Sequence, residues 1–293
     1  MSDRHRADLD AELERLPWRG PGPDRPELPV PPRRLPLRWG GRWRKRWRYI
    51  GAYDEAFMLC AAVVHVGPGA QTFWALWDRE GRRMRERTRK LLPLARREVS
   101  LDGPRVALHS GDVEIDLALG SSEPIETICP NGEGGYTWTR KRAGFSVTGR
   151  VAVAGAEHRF DGRGVDDESA GYHARRTSWL WSAGVGEAAD GRPVAWNLVS
   201  GINDPPARSE RAIWIDGRPS EPEPVSFEGL DAIAFADGSR LRFEAEGARA
   251  HSEAVPPLFR SDYEAPFGSF AGSLAGTELA SGLGVMERHD AVW

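Results

Sequence analysis

From Trp47 onward the chain is written in short runs of β-branched and aromatic residues, each cut off by glycine, proline or an Asp-Gly pair, with almost no helical spacing of apolar positions. Segments this short bury apolar surface only by pairing side by side, so the pattern confines the chain to antiparallel sheets that stack or curl. Asp-Gly occurs at 102, 161, 190, 216 and 237, and each pair is a tight-turn or hairpin signal. At least fifteen segments read as strands, from Arg46–Tyr53, Ala56–Val66 and Thr72–Asp78 to Phe267–Leu274 and Leu279–Glu287. The predicted class is all-β, a sandwich or a barrel.

The start of the chain is different. Residues 4–16 are predicted to form a short charged helix with Leu9, Leu13 and Leu16 on one side. Pro17–Pro36 then holds eight prolines in twenty residues, which excludes helix interior and central strand and predicts an extended arm laid over the body. The one helical competitor further on, Asp78–Glu98, has too few apolar positions for a packed face and is interrupted by Pro93; a solvated basic connection with about one helical turn is expected there.

Other features bound the biology. Cys60 and Cys129 sit in apolar runs and read as buried thiols, not as a disulfide framework. The first residues are charged throughout and no run reaches the roughly 18 apolar residues of a membrane helix, so a cytoplasmic protein is expected. Residues 1–100 carry 22 Lys and Arg against 13 Asp and Glu, and the balance reverses in the remainder. No GxGxxG, Walker loop, GxSxG or zinc-type spacing is present, so the residues call for no cofactor and no metal.

Chemistry concentrates in Val165–Pro205. Asp166, Asp167, Glu168 and His173 precede the strand TSWLWSAG. Enclosed together, adjacent acids cannot all ionise, and one would hold a proton near neutral pH for His173 to relay. The alternative is a solvated acidic turn paired with Arg175 and Arg176. Trp179 and Trp181 are two apart and share a strand face, and the partner strand brings Trp196 and Asn197 across the hairpin. The tryptophans then form either core or an aromatic wall at a barrel mouth, suited to an apolar ligand. At the far end Glu287 and His289 would share one face and approach Asp167 if the last strand closes a barrel; the alternative is a frayed tail. Arg33–Tyr49 has eight basic residues and three tryptophans without an acid, and reads as an edge strand or as a surface for anionic lipid or nucleic acid.

Three segments in order, WRYIGAYDEAFMLCAAVVHVG with FWALWDREG, DESAGYHARRTSWLWSAGVGEAADGRPVAWNLVSGIND, and FGSFAGSLAGTELASGLGVMERHDAVW, resemble a bacterial family known as domain of unknown function 2804, over roughly residues 40–293. That family is distantly similar to the carotenoid hydratase, AttH-like and tocopherol cyclase group. The resemblance implies two consecutive lipocalin-like β-barrels, with an arm over 1–40 and barrels over 41–160 and 161–293. It implies a functional acid at Asp167, followed by Gly171 and the Trp179–Trp181 pair; where the family pattern has tryptophan directly after the acid, this chain has Glu168. The resulting expectation is an apolar or amphipathic small molecule, such as a lipid, isoprenoid or polyketide-like compound, bound against Trp179, Trp181, Trp196, Asn197 and Glu287. Asp167, Glu168 and His173 would drive cofactor-free hydration, cyclisation or isomerisation. The alternatives are a carrier without chemistry and an anionic-surface module using Arg33–Arg48, in peripheral contact with a membrane and with nucleic acid disfavoured by the net negative charge.

Overall fold

A computed structural model of the chain describes residues 3–22, 24–91, 98–132, 134–255 and 259–293. Two large antiparallel sheets follow one plan, in which a four-strand meander is succeeded by a five-strand run whose last strand returns to pair with the first. In the first sheet the meander is Lys45–Tyr53, Phe57–Val66, Gly69–Asp78 and Arg83–Leu91. The run is Val99–Asp102, Arg105–Ser110, Val113–Leu119, Tyr136–Val153 and Ala156–Gly171, and the last of these pairs with Lys45–Tyr53. The second sheet repeats this from Arg176–Ala188 to Thr277–Val292, which again pair with each other. Each sheet is thus a ring of strands with one seam, curled as in a lipocalin. At the first seam Val99–Asp102 folds across onto Phe57–Val66 and Gly69–Asp78.

Side chains alternate between the faces of each strand, and the alternation builds three layers. Ile50, Leu59, Trp74, Leu76, Phe145 and Phe160 fill the inside of the first curl. Trp196, Leu198, Ile213, Leu241, Phe270 and Met286 fill the second. The opposite faces meet between the sheets, where Tyr49, Tyr53, Met58 and Trp77 pack with Trp181, Val199, Trp214 and Phe267.

The arm is bound into this body. Residues Asp3–Glu14 form the predicted helix, Trp18–Gly20 adds a strand to Ile125–Pro130, and Leu28, Val30 and Leu35 are buried against Ile128, Tyr136 and Tyr172. Arg19 also donates to the Arg211 carbonyl at 3.0 Å, tying the arm to the second half. Three expectations need correction. The expected division at 160/161 falls inside Ala156–Gly171, which belongs wholly to the first sheet, so the halves part after Gly171. The expected basic connection contains the strand Arg83–Leu91, with its charges on an exposed edge; residues 92–97 lie outside the described residues. Asp161-Gly162 is no turn: Gly162 lies mid-strand, where a Cβ would sit 2.1 Å from the Tyr53 carbonyl oxygen. Among the described residues no helix is long and apolar enough to cross a membrane.

Candidate active site between the two sheets

A cavity of about 630 Å³ lies between the sheets, bounded by the faces that each turns away from its own core. The cavity is therefore not at a barrel mouth, and the two readings of the tryptophan pattern meet at Trp181, which is both part of the core between the sheets and part of the cavity wall. It opens where its lining residues Gly69, Lys90 and His251 are exposed, and it is closed at the other end by Lys141, Asp167, Asn203 and Glu210, all buried. Aromatic rings from both halves form the walls. Tyr49 meets Trp181 edge-on at 5.4 Å between centroids, and Phe73 meets Tyr263 at 6.2 Å.

The closed end concentrates charge. Lys141 Nζ lies 2.6 Å from Asp167 Oδ1 and 3.4 Å from Glu210 Oε2. Strand pairing sets this up, since Lys141 is directly opposite Asp167 and Asp167 opposite Tyr49. Burial works against the Lys141 ammonium, but the two carboxylates outweigh it and raise its pKa. Burial likewise raises the pKa of Glu210, against the pull of Lys141. Asn203 Nδ2 donates to Glu210 Oε2 at 3.1 Å and fixes that carboxylate from the other side.

Glu287 enters from the second sheet. It is opposite Trp181 on the neighbouring strand and accepts a hydrogen bond from Trp179 Nε1 at 2.8 Å. Burial pushes its pKa up to about 7; the Trp179 bond pulls it down, and the Asp167 charge adds to the rise. The Arg249 guanidinium stacks over Phe73 at 4.4 Å and Tyr263 at 5.0 Å, one wall away. His289 lies against Trp179, with centroids 4.2 Å apart, and its Nε2 is 2.8 Å from Ser261 Oγ. Burial brings the His289 pKa down to about 4, so the ring is neutral.

The predicted site residues separate. Asp167, Trp179, Trp181 and Glu287 line the cavity together, with His289 beside Glu287, so the chain's end is an ordered strand and no frayed tail. Asp166 and Glu168 do not join Asp167. All three acids lie on one strand, so Asp166 and Glu168 face the first curl, where Arg48 contacts both and Arg142 Nη2 lies 2.7 Å from Asp166. His173 does not line the cavity; it is buried against Trp47, 5.1 Å between centroids, and neither ring nitrogen has a partner among the described residues. Burial, and then the charges of Lys45 and Arg42, hold its pKa well below the usual range, which removes it as a proton relay. Trp196 points away, into the second curl, where its Nε1 donates to Ser182 Oγ at 3.0 Å. Asn197 stands behind the wall, accepting from Trp181 Nε1 at 2.9 Å and donating to the Glu210 carbonyl at 2.9 Å.

Sequence reasoning missed Lys141, Asn203, Glu210, Arg249 and Tyr263. One signal was available: Lys141 is one of only three lysines among 40 basic residues, and it sits in a strand whose neighbouring strand carries the acids.

A family model described as Domain of unknown function (DUF2804) matches residues 93–293. Among solved structures, a putative AttH from Nitrosomonas europaea aligns with TM-score 0.52 at 14% identity, covering 88% of this chain and 97% of that one. Kievitone hydratase from Nectria haematococca aligns with TM-score 0.45 at 8% identity, covering 85% and 88%. The AttH likeness is one of fold. No curated protein matches the chain.

Proposed function

This chain belongs to the DUF2804 family, and from that premise we propose that it binds an elongated apolar or amphipathic small molecule between its sheets and transfers a proton to it. One observation carries the reading: Glu287, a carboxyl that keeps its proton to about pH 7, sits in the wall of an aromatic-lined cavity. A donor whose pKa lies near the working pH is what general acid catalysis needs.

The neighbours supply the other roles. Asp167, ion-paired with Lys141 at 2.6 Å, acts as the base. Tyr49, Trp179 and Trp181 line the cavity, and aromatic rings there favour a transient cation. In the step, the π electrons of a ligand double bond take the Glu287 proton and form a new C–H bond, which leaves a cation on the adjacent carbon. Water then adds through oxygen while Asp167 accepts the proton it releases, so the net change is hydration. Attack by a hydroxyl of the ligand itself, whose proton passes to Asp167, gives cyclisation, and loss of a neighbouring C–H proton to Asp167 gives isomerisation. In each case Glu287 loses one proton to the ligand and Asp167 gains another from water or the ligand, and exchange with solvent restores both.

The test is deuterium uptake. Isoprenoid alkenes and phenols are incubated with the protein in D2O and recovered for mass spectrometry, while tryptophan quenching reports binding. Wild type incorporates deuterium into a bound ligand, whereas Glu287→Gln and Asp167→Asn bind it without incorporation. Ligands that bind wild type and leave with no deuterium at all point instead to a carrier.

A further inference from the structure

Apart from Tyr49 at its end, the Arg33–Tyr49 segment plays no part in the chemistry above, yet it lies beside the cavity opening. Strands Arg38–Trp39 and Arg42–Trp43 form a small hairpin of their own, with Arg38 directly opposite Trp43. The Arg38 guanidinium stacks on the Trp43 ring at 3.8 Å, so the two present one surface. Leu37, at 46% exposure, and Trp43, at 37%, are the large apolar side chains left exposed among the described residues. Around them Arg33, Arg34 and Arg38 are exposed, and no Asp or Glu occurs in the sequence between Glu27 and Asp54.

This surface adjoins the mouth. Gly67 is buried under Trp43, whose ring a Cβ at that position would meet at 2.9 Å, and the Gly67 amide donates to the Arg44 carbonyl at 2.8 Å. Val66 and Gly69, on either side of that turn, line the cavity. By contrast, Trp39 and Trp47 are turned inward, against Tyr136, Tyr172 and His173, so the run offers no row of exposed rings for stacking bases.

We propose that the Arg33–Trp43 face docks the chain on an anionic lipid bilayer and holds the cavity mouth against it, so that an apolar ligand passes from bilayer to cavity. Arginines meet the negative surface while Leu37 and Trp43 enter the interface, the arrangement of a peripheral anchor. The docking stands on the surface alone; the passage rests on the ligand-binding reading above.

The experiment is sedimentation of the full chain with phosphatidylcholine vesicles, with and without about 30% phosphatidylglycerol. Wild type should partition to the anionic vesicles only, and raising salt to about 0.5 M should release it. Each exposed arginine contributes roughly fivefold, so the combined Arg33→Ala, Arg34→Ala and Arg38→Ala variant should lose about 100-fold in partitioning. Trp43→Ser should weaken partitioning to the anionic vesicles at low salt. Transfer of retinol from those vesicles, followed by tryptophan quenching, should slow in the triple variant while its affinity for dispersed retinol is unchanged. Equal partition to neutral vesicles, an unaffected triple variant, or binding to single-stranded oligothymidine without binding to vesicles overturns the proposal. Salt-sensitive docking without any bound retinol supports the surface and counts against the ligand reading.

Discussion

Glu287→Gln should remove the proton donor and, at the same time, stabilise the protein at neutral and alkaline pH. Burial is the main reason that the Glu287 pKa rises from 4.5 to about 7. A carboxyl with a raised folded pKa holds its proton more tightly in the folded chain. Its contribution to stability is fully present below pH 4.5 and is lost as pH rises through about 7. At about 1.4 kcal/mol per pKa unit, the loss comes to about 3 kcal/mol above that pH. Glutamine is neutral at every pH, keeps the volume, and its amide oxygen still accepts from Trp179. The stability difference, variant minus wild type, should therefore grow from near zero at about pH 4.5 to about 3 kcal/mol at about pH 8. Urea denaturation across that range, with unchanged m-values, measures it. A difference that stays flat with pH, or a variant less stable than wild type at about pH 8, refutes the reasoning. Joined to lost deuterium uptake, the gain would mark Glu287 as a group kept for chemistry at a cost in stability.

Three further outcomes follow from neighbouring residues. Trp179→Phe removes the donor that holds the Glu287 pKa down, so the pH at which stability falls should move above about 7 in the same denaturation series; an unmoved or lower midpoint contradicts this. Lys141→Met leaves Asp167 and Glu210 without their shared cation and should destabilise the protein by about 3–5 kcal/mol at about pH 8, and by less as the pH falls, because burial raises the Glu210 pKa and favours its protonated form. Calorimetry across pH checks it, and a pH-independent cost would count against the charge argument. Trp181→Phe should weaken retinol binding about tenfold by fluorescence titration, whereas Trp196→Phe should leave it within about twofold; equal effects would place the ligand elsewhere.

The all-β class was legible because turn chemistry and period-two patterning are local, and the Trp179–Trp181 face followed from the same period. What failed was register. A two-residue Asp190-Gly191 turn would set Trp196 on the face of Trp181. The hairpin instead closes through Ala188 and Arg192, with Gly191 at φ +84°, and pairs Trp196 with Gly184. That slip of one residue turns the ring into the other layer. The acids failed for a related reason. GRGVDDESAG reads as a turn, yet it extends as a strand because Lys141, Arg142 and Arg48 stand across from its carboxylates on both flanking strands. Those partners are far away in sequence, so no local pattern shows them. Glu287 and His289 were legible as a pair on one face; that Glu210 would meet Lys141 was not.

The division into three layers bears on how such a chain diversifies. Each curl carries its own core, and the cavity is built from the faces those cores do not use. Substitutions that reshape the cavity therefore leave the two scaffolds largely untouched, and substitutions that repack a scaffold leave the cavity walls in place. On the proposed ligand-binding reading, a lineage with this architecture is free to exchange one ligand for another by drifting along the space between the sheets, while the two halves go on folding as before.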